Sequence, residues 1–124
     1  MDKQKITSHT QLTVWQKAMD LVSGIYDATK GFPRDEQFGL TSQMRRCAVS
    51  IPSNIAEGRV RHTTKDFVHF LHISLGSTAE LSTQLEIARR QKFLSDARYT
   101  ELVGLLEQVG RMLSALIASL NAKL

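Results

Sequence analysis

This sequence predicts an all-α fold, an antiparallel up-down four-helix bundle. Three observations support that prediction. Only two prolines and seven glycines interrupt 124 residues, which favours long helices over many short strands. Hydrophobic residues make up 42%, enough for a single domain over residues 1–124 to bury a core and too many for a disordered chain. Apolar side chains recur at three- and four-residue steps in four segments joined by short turns.

The first segment predicts a helix over 14–29, with Trp15, Met19, Val22 and Ile25 on its apolar face. Thr13 and Gln16 have the spacing of a capping box, and Gly31 stands where a left-handed C-terminal cap belongs. The stretch "GFPRDEQFG" then reads as a turn. A second helix is expected over 40–57, stopped by Gly58, with Leu40, Met44, Cys47, Ile51 and Ile55 facing the core. Pro52 lies inside it. Proline removes one donor, leaves the Ala48 carbonyl unpaired and bends a helix, and Ser50 or Ser53 is placed to bond the freed groups. A break at Ile51 is the competing reading, since a residue before proline resists the helical region. Ile55 keeps the phase set by Leu40 and Met44, which favours one continuous, kinked helix. Asn54, near the core-facing edge, is expected to fix the kinked backbone.

A third helix over 64–91 begins behind Thr63, with Asp66 as its cap partner. Phe67, Phe70, Leu71, Leu75, Leu81 and Leu85 line one face, and Ser74 and Thr78 on that face let a neighbouring helix come close. The fourth, over 96–122 after Ser95, carries Tyr99, Leu102, Leu106, Val109, Leu113, Leu116 and Leu120 in the alternating pattern of a bundle seam.

Formal net charge is +4, and all of the excess lies in residues 39–65. There Arg45, Arg46, Arg59, Arg61 and Lys65 are opposed by Glu57 alone. Such a patch suits an anionic partner: nucleic acid, an acidic protein or lipid headgroups. Arginine grips phosphates with two N–H groups at once, so these five side chains are the candidate phosphate contacts. Arg89, Arg90 and Lys92 form a weaker second cluster, where cations also suit the helix dipole. RNA and DNA fit equally well. Few aromatics lie near the patch, which argues against base stacking. The plainer reading pairs Arg45 and Arg46 with Asp35, Glu36 or Glu57, and Glu57 itself with a nearby arginine.

Enzyme chemistry finds little support. There is no phosphate-cradling glycine loop, no nucleophile elbow and no Cys-x-x-Cys. Asp66, His69 and His72 would offer ligands to one metal from a single helix, but no second helix supplies a histidine. Metal and cofactor are therefore both expected to be absent. The lone Cys47 forbids an internal disulfide and reads as core packing in a protein of the reducing cytoplasm. The N-terminus has no signal-peptide core, and no apolar run approaches the ~20 residues that span a bilayer, so no membrane role is expected.

Some apolar positions lie outside the predicted core. On the third helix His69, Gly76, Thr83 and Arg90 recur every seven residues opposite the core, flanked by Ile73 and Ile87. On the second, Ser42, Val49, Ser53 and Ala56 form a small-residue stripe, and Leu105 and Met112 stand outside the fourth helix's seam. These stripes predict a homo-oligomer, with Val49, Ser53, Ala56, Ile73, Gly76 and Ile87 as interface residues. The alternative is that they are scattered surface apolars, which are ordinary.

The run "LTVWQKAMDLVSGIYDATKGFPRDEQFGLTSQMRRCAVSIPSNIAEG", followed by "KDFVHFLHISLGSTAEL" and "QLEIARR", resembles the bacterial four-helix-bundle proteins encoded in intervening sequences of 23S ribosomal RNA genes. "SIPSNIAEG", holding Pro52, Asn54, Glu57 and Gly58, is its most specific part, and Cys47 departs from the family's usual alanine. The chain is also similar to the accessory protein of diversity-generating retroelements. The resemblance implies a ring, typically a homopentamer, no enzymatic activity, and nucleic acid or a reverse transcriptase as partner. In such a ring each subunit's basic segment would be repeated around one axis. The other reading is a scaffold whose basic face docks an acidic protein.

Overall fold

Residues 8–124, those that this computed structural model describes, form four α-helices and no strand. They are α1 (Thr13–Thr29), α2 (Leu40–Arg59), α3 (Thr64–Arg90) and α4 (Asp96–Asn121), with short 3-10 turns at His9–Gln11 and Arg34–Glu36. Each helix packs on two others: α2 on α3, α3 on α4, and α1 on both α2 and α4.

The helix ends follow local chemistry, with three departures from expectation. Thr63 and Ser95 cap α3 and α4, accepting from the backbone N–H of Asp66 and Arg98 at 3.1 Å each. Thr13, by contrast, is not a cap: α1 starts on it, Leu12 precedes it without a side-chain bond, and Gln16 donates instead to the Thr10 carbonyl at 3.1 Å. Gly31 is not left-handed, since no described glycine has a positive φ; the left-handed residue is Lys92, at φ 63°. There the Phe93 N–H reaches the Ala88 carbonyl at 2.9 Å and the Lys92 N–H reaches that of Arg89 at 3.0 Å, closing α3 with a Schellman motif. Gly58, finally, does not stop α2, which runs through it to Arg59.

The reason for Gly58 is space. A Cβ built there would lie 2.7 Å from the Phe70 Cβ, 3.0 Å from the Phe67 Cδ1 and 3.2 Å from the Phe67 carbonyl oxygen. No side chain fits, so this glycine lets α2 and α3 touch.

The helix is also continuous across Pro52, and side chains bond the carbonyls around it. Ser50 donates to the Cys47 carbonyl at 2.6 Å, Asn54 Nδ2 to that of Ser50 at 2.8 Å, and Ser74 of α3 to that of Ile51 at 2.8 Å. The Ser50 and Ser77 hydroxyls bond each other at 2.7 Å. Asn54 therefore fixes this backbone as expected, whereas Ser53 is exposed. Most of "SIPSNIAEG" builds the α2–α3 joint.

The core comprises Met44, Ile51 and Ile55 of α2, Leu71, Leu81 and Leu85 of α3, and Leu102, Leu106, Val109 and Leu113 of α4. Burying each such side chain contributes roughly 1.5–3 kcal/mol. On α1 the buried residues are Val14, Ala18, Leu21, Ile25 and Thr29; of the expected face Ile25 is buried, Trp15 and Val22 rest partly buried against the core, and Met19 is exposed. Size explains the error: small Ala18 fits between helices, while the larger Trp15, Met19 and Val22 border a groove shared with α2. By length and composition α4 is apolar enough to cross a membrane, contrary to the sequence reading, but its leucines are the ones that line the core.

Candidate functional site

The five candidate cations are neighbours in sequence but not in space. Arg45 and Arg59 are the second turn and the last residue of one helix, so a rise of 1.5 Å per residue sets them roughly 20 Å apart along its axis. They form two groups.

In the first group Arg45 is committed to the bundle. Its Nε donates to the Thr29 Oγ1 at 2.8 Å, and its guanidinium lies 4.7 Å from the centre of the Tyr26 ring. Thr29 in turn donates to the Ile25 carbonyl at 2.7 Å. Arg45 thus ties α2 to the C-terminal end of α1, where a cation suits the dipole, and pairs with none of Asp35, Glu36 or Glu57. Arg46 is exposed and makes no hydrogen bond or ion pair among the described residues.

The second group surrounds the α2–α3 turn. Arg59 ends α2, Arg61 lies in the turn and Lys65 in the first turn of α3. Arg61 bonds the Glu57 carboxylate at 2.7 Å while its guanidinium sits 4.8 Å from the centre of the Phe70 ring. Both ion-pair partners are about half exposed, so solvent screens the pair and it contributes little to stability. Lys65 is exposed and unpaired among the described residues. The nearby carboxylates are Glu57 and Asp66, the latter at the positive end of α3.

Arg89 and Arg90, the weaker cluster, share one carboxylate. Glu86 accepts from them at 2.6 and 2.7 Å, and from the Tyr99 hydroxyl of α4 at 3.0 Å. The bonds from Arg89, then Arg90, then Tyr99 hold its pKa down at about 2, against an ordinary 4.5.

Cys47 is buried, with its thiol donating to the Ser77 carbonyl at 3.2 Å. Burial first, and the nearby Glu80 carboxylate second, push its pKa up to about 12. So protonated a thiol is a poor nucleophile. Asp66, His69 and His72 form no group of three metal-ligating side chains among the described residues.

Of the expected interface residues, Val49, Ser53 and Ala56 border a largely apolar groove of about 340 Å³ with Trp15, Met19 and Val22. Ile73 and Ile87 are exposed on α3, and a Cβ at Gly76 would meet nothing within 4 Å. Leu105 and Met112, expected outside, rest partly buried against the core. The sequence reading missed Phe38 and Val60, which are 91% and 68% exposed. Both continue the helical phase of the α2 stripe just past its ends, and that phase was the available signal.

A family model described as 23S rRNA-intervening sequence protein matches residues 10–115. A crystal structure of a protein of unknown function from the S23 ribosomal protein family of Bacteroides thetaiotaomicron is similar in fold. Its TM-score is 0.78 at 22% identity, covering 85% of this chain and 95% of that one. A search of curated proteins finds no match.

Proposed function

The chain belongs to the 23S rRNA-intervening sequence protein family, and from that premise we propose that it is a non-enzymatic, homo-oligomeric bundle that binds nucleic acid through a basic face. The bundle is antiparallel and up-down. Supporting this, α2 and α3 meet in opposite order, Gly58 by Phe67 and Cys47 by Ser77, and Glu86 of α3 meets Tyr99 just inside α4. It works without cofactor or membrane, in the cytoplasm, and assembles as a ring, the pentamer that the resemblance implies.

The observation that carries the reading is the α2–α3 turn. Arg59, Arg61 and Lys65 gather at one end of the bundle with exposed Lys65 at their edge, and cyclic symmetry would repeat the turn on one rim. Arg46 adds an unpaired cation along α2, whereas Arg45 is a structural contact. Binding to phosphates releases counterions, so affinity for generic RNA and DNA should fall steeply with salt. The test is a salt titration of both ligands with Arg59→Ala, Arg61→Ala and Lys65→Ala. Each change should reduce the log–log salt slope by about one. No binding at low salt, or unchanged slopes in all three variants, removes the proposal.

Phe38 and Val60 favour a second reading, a scaffold that docks an acidic protein, since exposed aromatic and aliphatic anchors dominate protein interfaces. A reverse transcriptase is the partner of that kind implied by the resemblance. Phe38→Ala would weaken such a partner and leave the salt slope for RNA untouched.

A further inference from the structure

Where the end of α1 meets the start of α2, the chain encloses a pocket of about 320 Å³ that the function proposed above does not use. Thr29 and Lys30 border it from α1, Gln37 from the loop, and Thr41 and Arg45 from the first two turns of α2. Two cations line it and no carboxylate does. Of the acids close by in sequence, Glu36 accepts from the Leu40 N–H at 3.0 Å, Asp27 pairs with Arg98 at 3.1 Å, and exposed Asp35 does not border the pocket.

Thr41 points to a ligand. It is only 8% exposed, yet its hydroxyl has no partner among the described residues. A buried hydroxyl left unbonded costs stability. This one is not sealed in, since Gln84 Oε1 is the one enclosed side-chain polar atom without a partner among those residues. It therefore opens on the pocket that Thr41 borders. The backbone N–H groups of Thr41 and Ser42 also lack partners among the described residues, at the positive end of a 20-residue helix.

Arg45 is held in place here and not used up. Its Nε donates to the Thr29 Oγ1 at 2.8 Å and its Nη2 reaches the Tyr26 carbonyl at 3.5 Å, while its other N–H groups are unbonded among the described residues. Lys30 is exposed, and its ammonium bonds nothing there. The adverse feature is the negative end of α1. It is muted, because the carbonyls of Ile25, Tyr26, Asp27 and Thr29 already accept bonds.

We propose that this pocket seats a single terminal phosphate group. An anchored guanidinium, an ammonium, a free hydroxyl and a helix N-terminus are the donors that phosphate oxygens take. The two cations match a phosphomonoester, about −1.5 to −2 at neutral pH, better than a singly charged phosphodiester linkage. Such a group comes on a small phosphate ester or at the end of a nucleic-acid chain. The seat lies at the other end of α2 from the basic turn and does not depend on it.

Calorimetric titration with inorganic phosphate, at constant ionic strength, tests the seat. The unaltered chain should saturate at one phosphate per chain. Lys30→Ala and Thr41→Val should each weaken that binding by about tenfold, and Lys65→Ala should leave it unchanged. Because the Thr41 hydroxyl bonds nothing in the chain, Thr41→Val should not lower the thermal midpoint; a lowered midpoint gives the hydroxyl a structural role and overturns the seat. A second arm compares one oligonucleotide with a 5′-phosphate and with a 5′-hydroxyl. If the phosphate tightens binding and Thr41→Val cancels the gain, the source is a nucleic-acid end. If it makes no difference while inorganic phosphate still binds, the source is a small phosphate ester. If Thr41→Val and Lys30→Ala match the unaltered chain with both ligands, or Lys65→Ala loses phosphate as strongly as Lys30→Ala, the seat is wrong. Salt-dependent binding at the α2–α3 turn stands or falls separately.

Discussion

The turn between α2 and α3 and the turn between α3 and α4 are both short and both rich in cations, yet they use them differently. At the second, one carboxylate, Glu86, collects Arg89, Arg90 and a hydroxyl from the next helix, so the charge is consumed in holding the bundle together. At the first, apolar contact does the holding. Gly58 lets the backbone of α2 rest on Phe67 and Phe70, and Glu57 holds Arg61 while Lys65 stays exposed. Similar local composition therefore yields a strut at one turn and a solvent-facing basic surface at the other. What decides is whether a close-packing glycine has already joined the helices.

Breaking the α2–α3 joint should have the largest effect. Gly58→Ala places a methyl group within 3.2 Å of backbone as well as side chain, and should cost about 2 kcal/mol, read as a lowered thermal midpoint. Ser74→Ala should cost about 1 kcal/mol, because it strips a bond from the buried Ile51 carbonyl. At the other turn, Lys92→Gly should stabilise by about 0.5–1 kcal/mol in chemical denaturation, since a left-handed residue there suits glycine. Glu86 gives that turn a pH signature. Its pKa of about 2 lies below the ordinary 4.5, so the unfolded chain takes up its proton first. The stabilisation is complete above about 4.5 and is lost as pH falls toward about 2, so Glu86→Gln should flatten the acid limb of thermal midpoint against pH. Arg61→Ala should change stability least, by less than about 0.5 kcal/mol, while lowering the salt slope for RNA. A large loss of stability in that variant would erase the contrast between the turns.

Much of the fold could be read from the chain alone. The four helices lie within two residues of their expected ends, because caps such as Thr63 and Ser95 and the periodic leucines are local signals. Continuity across Pro52 was readable from the constant phase of Ile55. The errors came where a partner decides. Gly58 looks like a stop signal until Phe67 and Phe70 are set against it. The face of α1 was only partly right: Ile25 is buried as expected, but periodicity favours large side chains and the bundle needed Ala18 at its centre. The candidate site was legible in composition but not in arrangement: a count of charge treats Arg45 and Arg61 as neighbours, whereas Arg45 sits in the second turn of α2 and Arg61 beyond its far end. Nothing in the sequence marked Tyr26 as the ring beneath Arg45, because that contact spans two helices.

Ser74 of α3 reaches across to the Ile51 carbonyl of α2. One bond to the α2 backbone beside Pro52 is therefore supplied from outside, and it forms only while α3 is docked. Amide exchange near the middle of α2 should therefore report undocking of α3, and these two helices should open and close as one cooperative unit.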